Sequence, residues 1–295
     1  MRQLICDKLK QRSVSTHVVQ AGQKGIPAIK NIIAIASGKG GVGKSTTAVN
    51  LALALCKAGA EVGLLDADIH GPNQPIMLGV HDKAQMSPDK KFIPIRQYGI
   101  QSISIGYLID AQTPMIWRGP MVSQALQQLV YETLWEDLDF LILDLPPGTG
   151  DIPLTLAKKV PLSGAVIVTT PQEVALSDAG KALIMFKRLG ITVLGIIENM
   201  AIYRCPHCSH EEAIFGHGGG KRMAENNGLP LLGQIPLNIA IRKNADGGKP
   251  LMITEQDSFI AEIYKDIAFM LAEQLSLQPV NYGVKFPNIV VKGTK

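Results

Sequence analysis

Apolar runs rich in β-branched residues alternate along this chain with segments whose apolar positions recur at helical spacing. Such an alternation is typical of a parallel sheet flanked by helices, because each strand of that sheet is buried on both faces. We therefore predict an α/β fold: a doubly wound, mostly parallel sheet with helices on both faces. The predicted strands are residues 32–37, 61–66, 100–108, 140–145, 165–170, 192–198 and 231–235. The predicted helices are one that ends at Lys57 and three near residues 122–135, 174–189 and 258–275.

The two ends of the chain lack this alternation. Residues 1–30 show no strong apolar period and contain several glycines and a proline, which predicts an N-terminal arm and linker. The domain itself is expected to span residues 31–278, a length that one α/β sheet can occupy. Residues 279–295 form a C-terminal tail for which the pattern predicts no element.

Composition narrows the classes of function. Hydrophobic residues make up 46% and charged residues 18% of the 295 positions, which is enough apolar material for a large core. The net charge of +4 comes without a basic block or stripe, so nucleic acid is not an expected partner. No apolar run approaches the roughly 18 residues that cross a bilayer, so no membrane association is expected.

Cysteine usage and the N-terminus bear on the compartment. Four cysteines are too few for a disulfide framework and suit a reducing compartment, so we expect a soluble, cytoplasmic protein. The first 30 residues hold six Lys or Arg against one acidic residue, Asp7, which leaves an organelle transit segment as the weaker alternative.

A glycine-rich segment follows directly on the first predicted strand. Residues Ser37 to Thr46 read SGKGGVGKST, which fits the phosphate-loop pattern G-x-x-x-x-G-K-[ST] and leads into a helix. Glycines let the backbone N–H groups wrap a phosphate closely, while Lys44 would neutralise its charge and the Ser45 hydroxyl would ligate Mg²⁺. The sequence therefore predicts a P-loop NTPase that binds ATP and Mg²⁺. The predicted nucleotide-binding residues of the loop are Gly38, Gly40, Gly41, Val42, Gly43, Lys44, Ser45 and Thr46.

Three aspartates end predicted strands. Asp66 and Asp68 close the second strand, and Asp144 ends an apolar strand just before a Pro-Pro-Gly turn. The carboxyl ends of parallel strands meet at one edge of the sheet, where ligands of open α/β folds bind. We expect all three carboxylates near the phosphates, with Asp144 in the Walker B position to hold a Mg²⁺-bound water.

Lys39, a second lysine inside the loop, resembles the deviant Walker A pattern of the MinD/ParA/nitrogenase-iron-protein group of ATPases. The resemblance implies a homodimer in which Lys39 contacts the nucleotide of the opposite subunit. It also implies that Asp68 orients the attacking water and that Asp66 supports the water shell of Mg²⁺. Asn199 matches a position that contacts adenine in this group. Lys39, Lys44 and Asp68 are the expected catalytic residues.

A C-x-x-C pair, Cys205 and Cys208, falls in a segment predicted to be irregular, near residues 203–220. Two thiolates cannot complete a four-coordinate site alone. Three solutions stay open: zinc completed by His210 or His217, a redox dithiol, or a site shared between two subunits.

Taken together, the motifs closely resemble the Mrp/ApbC family of iron–sulfur cluster carriers. The motifs that carry this resemblance are GKGGVGKS, DADIHGPN, WRGPM, DLPPGTGD, ENM and CPHC. The resemblance implies a homodimer that holds a labile [4Fe–4S] cluster on Cys205 and Cys208 of each subunit. It also implies an iron–sulfur scaffold and apo-protein clients as partners, with ATP hydrolysis needed for delivery. Residues 1–30 are too short for the extra N-terminal domain that many bacterial relatives carry.

The main alternative is a MinD/ParA-like positioning ATPase with a structural zinc at the C-x-x-C. It would need a basic amphipathic tail or a basic face, and the sequence offers neither.

Overall fold

The computed structural model describes residues 2–11, 14–17, 23, 25–109 and 119–280. Trp117 and Arg118 of the WRGPM motif and residues 281–295 of the tail lie outside the described residues. The strands are β1 Ile29–Ala36, β2 Val62–Asp66, β3 Ile95–Gln97, β4 Ile100–Ser104, β5 Leu138–Asp144, β6 Gly164–Thr169, β7 Val193–Arg204, β8 Glu211–Glu212 and β9 Leu231–Leu237. The helices are α1 Arg2–Lys10, α2 Lys44–Lys57, α3 Gln74–Leu78, α4 Gly119–Tyr131, α5 Asp151–Lys159, α6 Glu173–Arg188, α7 Gly219–Asn227, α8 Ile239–Asp246, α9 Leu251–Thr254 and α10 Phe259–Ser276.

These strands form one sheet in the order β3-β4-β2-β5-β1-β6-β7-β8, with β9 also paired to β7. Only the β3–β4 and β7–β8 pairs among the described strands are antiparallel. The predicted fold class is therefore confirmed. The phosphate-loop strand β1 lies between β5 and β6, so its carboxyl end opens beside that of β5.

Side chains alternate across the sheet and feed two cores, one on each face. Ile33 and Ile35 of β1 point into the core under α2 and α10, while Ile32 and Ala34 point into the core under α4, α5 and α6. Burial on both faces explains why these strands read as unbroken apolar runs. Leu9 of α1 is buried in the first of these cores. None of the described helices is both long and apolar enough to span a bilayer.

Two predicted elements are shorter than expected. The strand predicted over residues 100–108 ends at Ser104, and one 3-10 turn, Ile105–Tyr107, follows. The Ser104 hydroxyl accepts a hydrogen bond from the Gly106 N–H at 3.1 Å, which caps that turn and ends the strand. The helix predicted over residues 122–135 ends at Tyr131, because the Leu134 N–H donates to the Phe92 carbonyl instead of continuing the helix.

One element is longer than expected. The strand predicted over residues 192–198 continues to Arg204, and the C-x-x-C segment lies in a β-hairpin instead of an irregular segment. The hairpin forms because Tyr203 pairs with Glu212 and Arg204 pairs with Glu211 on β8. We call residues 203–212 the cysteine hairpin.

Candidate functional site

The loop between β1 and α2 forms a pocket of about 270 Å³ at the carboxyl edge of the sheet. Gly41 and Gly43 adopt φ angles of 83° and 81°, in the left-handed region that favours glycine. A Cβ at Gly43 would also lie 2.1 Å from Asn199 Nδ2, so the backbone passes too close to β7 for any side chain. The predicted site residues that line this pocket are Lys39, Gly40, Gly41, Gly43, Lys44, Ser45, Thr46 and Asp68.

The Lys44 ammonium forms a buried ion pair. Its Nζ lies 2.5 Å from Asp144 Oδ1 and 3.3 Å from the Ser45 hydroxyl oxygen, and the Asp144 side chain is fully buried. Loop lysine, helix-start serine and strand-end aspartate are therefore brought together, although Asp144 itself does not line the pocket. A bound phosphate would compete with Asp144 for the Lys44 charge.

Gln74, the first residue of α3, also belongs to the site, although no sequence motif predicted it. Its Nε2 donates to Asp144 Oδ2 at 2.9 Å and to the Ser45 carbonyl at 3.0 Å. Both partners are acceptors, which fixes the orientation of the amide and makes Oε1 an acceptor. That oxygen is buried and has no hydrogen-bond partner in the part of the chain that the structure describes. The signal in the sequence was weak: one polar residue beside a proline, after the Asp-x-Asp pair.

The two aspartates after β2 occupy different environments. Asp66 is fully buried and accepts hydrogen bonds of 3.1 Å each from the Asp68 N–H, the Gln74 N–H and the Ser104 hydroxyl. Burial, followed by the nearby Asp144 charge, raises the pKa of Asp66 to about 7. Asp68 is partly buried and lines the pocket, and burial also raises the pKa of its carboxyl. Of the two, Asp68 is the one placed at the pocket.

The Asp144 carboxylate and the unpartnered Gln74 Oε1 together allow a test of whether Mg²⁺ suits the site. Hard cations favour oxygen ligands and retain several waters, which donate hydrogen bonds to the surroundings. The Ser45 hydroxyl and the Asp144 carboxylate are such ligands, and the unpartnered Gln74 Oε1 is an acceptor beside them. The residues present therefore fit a hydrated Mg²⁺.

Asn199, near the middle of β7, contacts the phosphate loop itself. Its side chain is only 8% exposed, and its Nδ2 donates to the Val42 carbonyl at 2.8 Å. Neither residue lines the pocket. The structure thus gives Asn199 a contact with the outer side of the loop, and its adenine contact stays a prediction.

The cysteine hairpin carries both thiols on its turn. The Cys205 N–H donates to the His210 carbonyl and the Ser209 N–H to the Cys205 carbonyl, each at 2.9 Å. The Cys208 N–H, the His207 N–H and the Cys208 thiol all hydrogen-bond to the Cys205 sulfur and lower the pKa of its thiol.

Both thiols are free, and Cys208 is exposed. Within residues 2–11, 14–17, 23, 25–109 and 119–280, no three His, Cys, Asp or Glu side chains come together as a metal site. One chain therefore presents two sulfur ligands here, and His210 and His217 do not join them.

A parallel sheet, a glycine loop that leads into a helix, and a strand-end aspartate beside the loop lysine define a P-loop NTPase. The chain belongs to the ParA family described as NUBPL iron-transfer P-loop NTPase, whose family model matches residues 28–272. The resemblance to iron–sulfur carriers of the Mrp/ApbC type is thereby confirmed.

Relatives with curated names agree with this membership. An iron-sulfur cluster carrier protein of Pseudomonas fragi is 53% identical over 257 residues, which cover 86% of this chain and 90% of the relative. The iron-sulfur cluster transfer protein NUBPL of Dictyostelium discoideum is 46% identical over 276 residues, which cover 92% of this chain and 85% of that protein.

Solved structures show the same fold. A nucleotide-binding protein of Archaeoglobus fulgidus in complex with ADP superposes with a TM-score of 0.70 at 35% identity, over 81% of this chain and 93% of that one. The cell division ATPase MinD of Pyrococcus furiosus superposes with a TM-score of 0.64 at 23% identity, over 82% of this chain and 98% of that one. The second likeness concerns the fold alone.

Proposed function

We propose that this protein is an ATP-dependent iron–sulfur cluster carrier. In this proposal it hydrolyses Mg-ATP and holds a labile [4Fe–4S] cluster between two subunits for transfer to apo-proteins. The observation that carries it is a pair of free thiols on one turn, the partly buried Cys205 and the exposed Cys208, in the same chain as a phosphate-loop pocket. The curated relatives named above are iron–sulfur cluster carrier and transfer proteins, which supports the same conclusion.

The nucleotide half of the function depends on the ion pair between Lys44, which lines the pocket, and the buried Asp144 beside it. Lys44 would exchange its contact with Asp144 for the phosphates, which frees the Asp144 carboxylate for a metal-bound water. Ser45 would be the direct protein ligand of Mg²⁺. Mg²⁺, when bound, neutralises charge on the phosphates and helps to align them. Asp66 would hold Gln74 and, through it, the Asp144 carboxylate.

Hydrolysis needs a group that orients water. We assign this role to Asp68, because its partly buried carboxylate lines the pocket and would accept a hydrogen bond from the attacking water. Lys39 lines the same pocket from within the loop. We assign Lys39 to the nucleotide of the partner subunit, where its positive charge would stabilise charge that develops on the phosphates.

The cargo half depends on ligand count and exposure. A [4Fe–4S] cluster takes four thiolates, and this chain offers two on one turn. Two copies related by a two-fold axis supply the set, with both hairpins meeting at the axis. Hydrogen bonds to the Cys205 sulfur favour its thiolate, the form that binds iron. A cluster at an exposed turn is accessible to a scaffold that loads it and to a client that removes it.

Anaerobic reconstitution with iron and sulfide tests this function. About four iron and four sulfide per dimer are expected from the ligand count. Cys205→Ala and Cys208→Ala should lose the cluster and keep ATP binding. Cys56→Ala, on α2, is the matched control, because its thiol contacts the Gly99 carbonyl far along the chain from the hairpin.

A different metal content would contradict the proposal. One tightly bound zinc per subunit, with no iron–sulfur absorption under strict anaerobiosis and no transfer to an apo-acceptor, would leave a zinc-containing ATPase.

A further inference from the structure

Strand β7 touches both candidate sites. Asn199 on this strand donates to the Val42 carbonyl in the phosphate loop, and five residues later the strand ends at Arg204, next to Cys205. Because successive side chains of a strand point to opposite faces, Glu198 points away from the loop, toward α7 and β9. One short stretch of backbone thus carries a contact to each site.

Glu198 secures the segment that follows the cysteine hairpin. Its carboxylate is fully buried and accepts a hydrogen bond from the Gly220 N–H, in the first turn of α7, and another from the Gln234 side chain at 2.7 Å. Free N–H groups at a helix start favour a carboxylate partner. A Cβ at Gly220 would lie 2.8 Å from the Glu198 Cβ, so the helix start is packed directly against this side chain.

Both ends of the segment that holds the thiols are therefore attached to the same strand. The hairpin leaves β7 at Arg204, and the chain returns to β7 at the contact between Gly220 and Glu198. A shift of β7 near Asn199 would move both attachments together.

The backbone between the two sites is irregular at Met200. This residue has a φ of 55°, in the left-handed region that a non-glycine residue adopts only at an energetic cost. The pairing of β7 with β9 shifts register between Asn199 and Tyr203. A Cβ at Gly43 would lie 3.9 Å from the Met200 Cε, so Met200 also lies close to the phosphate loop.

We propose that residues Glu198 to Met200 couple the phosphate loop to the cysteine hairpin, so that nucleotide binding changes the position of the Cys205 and Cys208 turn. Glu198 and Met200 are positioning residues for the thiols. Asn199 transmits a change in the loop to β7 through its hydrogen bond to the Val42 carbonyl. This inference deepens the proposed function, because it makes ATP the regulator of access to the cargo. The coupling itself does not require that the cargo be an iron–sulfur cluster.

Amide hydrogen exchange on the whole chain, prepared without iron or zinc, tests the coupling. Exchange of residues 203–220 should differ at least about fivefold between protein alone and protein saturated with Mg²⁺ and a non-hydrolysable ATP analogue, a typical coupling between sites. Glu198→Gln places an NH₂ group opposite either the Gly220 N–H or the Gln234 side-chain NH₂, so one of these hydrogen bonds is lost and the attachment to β7 is weakened. The variant should therefore abolish the difference in exchange, while its affinity for the analogue stays within about twofold of the parent value. Glu225→Gln, an exposed position of α7, is the matched control and should retain the difference.

Met200→Gly is a second variant that does not disturb the buried carboxylate. Glycine adopts the left-handed conformation without strain, so the variant should be no less stable and should hold the hairpin in its present position. The nucleotide-dependent difference in exchange should then shrink. Unchanged exchange on nucleotide binding in the parent protein, or a full response in both variants, would overturn the coupling. Failure to form a cluster would overturn the proposed cargo and leave this result intact.

Discussion

The Lys44 ammonium lies 2.5 Å from the Asp144 carboxylate, although the two residues are 100 positions apart in the chain. Both side chains are buried. Removal of only one partner of a buried ion pair strongly destabilises the folded protein, because the other charge is left buried without a partner. Asp144 is also held by Gln74, so the lysine, the carboxylate and the amide form one unit at the foot of the phosphate loop.

Lys44→Ala should reduce ATP turnover at least about a hundredfold, because the phosphates lose the charge that the loop offers them. Steady-state phosphate release measures the effect, and circular dichroism confirms that the variant is folded. Lys187→Ala, an exposed lysine of α6, should hydrolyse ATP at the parent rate. Undiminished turnover in Lys44→Ala would remove the basis of the nucleotide site.

Gln74→Leu should raise the Mg²⁺ concentration for half-maximal turnover about tenfold, because the Asp144 carboxylate loses a group that orients it. Loss of a hydrogen bond to a buried charged group should also lower the free energy of unfolding by about 2 kcal/mol. Titration with Mg²⁺ and urea denaturation measure the two effects separately. Gln124→Leu, at an exposed position of α4, is the control for the same substitution. Parent-like Mg²⁺ dependence would show that Gln74 only fills space.

Lys39→Ala and Lys44→Ala should complement each other when mixed. If Lys39 acts on the partner's nucleotide, a mixed dimer has one site with both lesions and one intact site. Half of the dimers in an equal mixture are mixed, so about a quarter of the parent turnover should return. Each variant alone is the control. A mixture no more active than its components, or a monomer that hydrolyses ATP at the normal rate at every concentration, would contradict the shared site.

Most of the nucleotide site could be predicted from residues that are adjacent in the sequence. Residues Ser37 to Thr46 specify the loop because their function depends on local backbone conformation and on the helix that follows directly. The apolar runs of β1, β5 and β6 specify a parallel sheet because strands buried on both faces need apolar side chains at every position. Cys205 and Cys208 are a ligand pair by spacing alone.

Contacts between distant segments decided the rest. Gln74 and Asp144 are 70 positions apart in the chain, and Asn199 and Val42 are 157 positions apart. No local sequence pattern therefore predicts either contact. Asp66 and Asp68 look alike in sequence, but only the packing around β2 buries the first completely and places the second at the pocket.

The cysteine hairpin shows the same division. The C-x-x-C spacing alone identifies its two thiols as a ligand pair. The shape of the hairpin depends on the strand formed by Glu211 and Glu212, and two residues are too few to give a periodic signal in the sequence. The sequence by itself determined the chemical groups and the fold that supports them, because those follow from local conformation and the period of burial. The tertiary structure decided which groups meet, because that depends on strand order and on side chains brought together from distant parts of the chain.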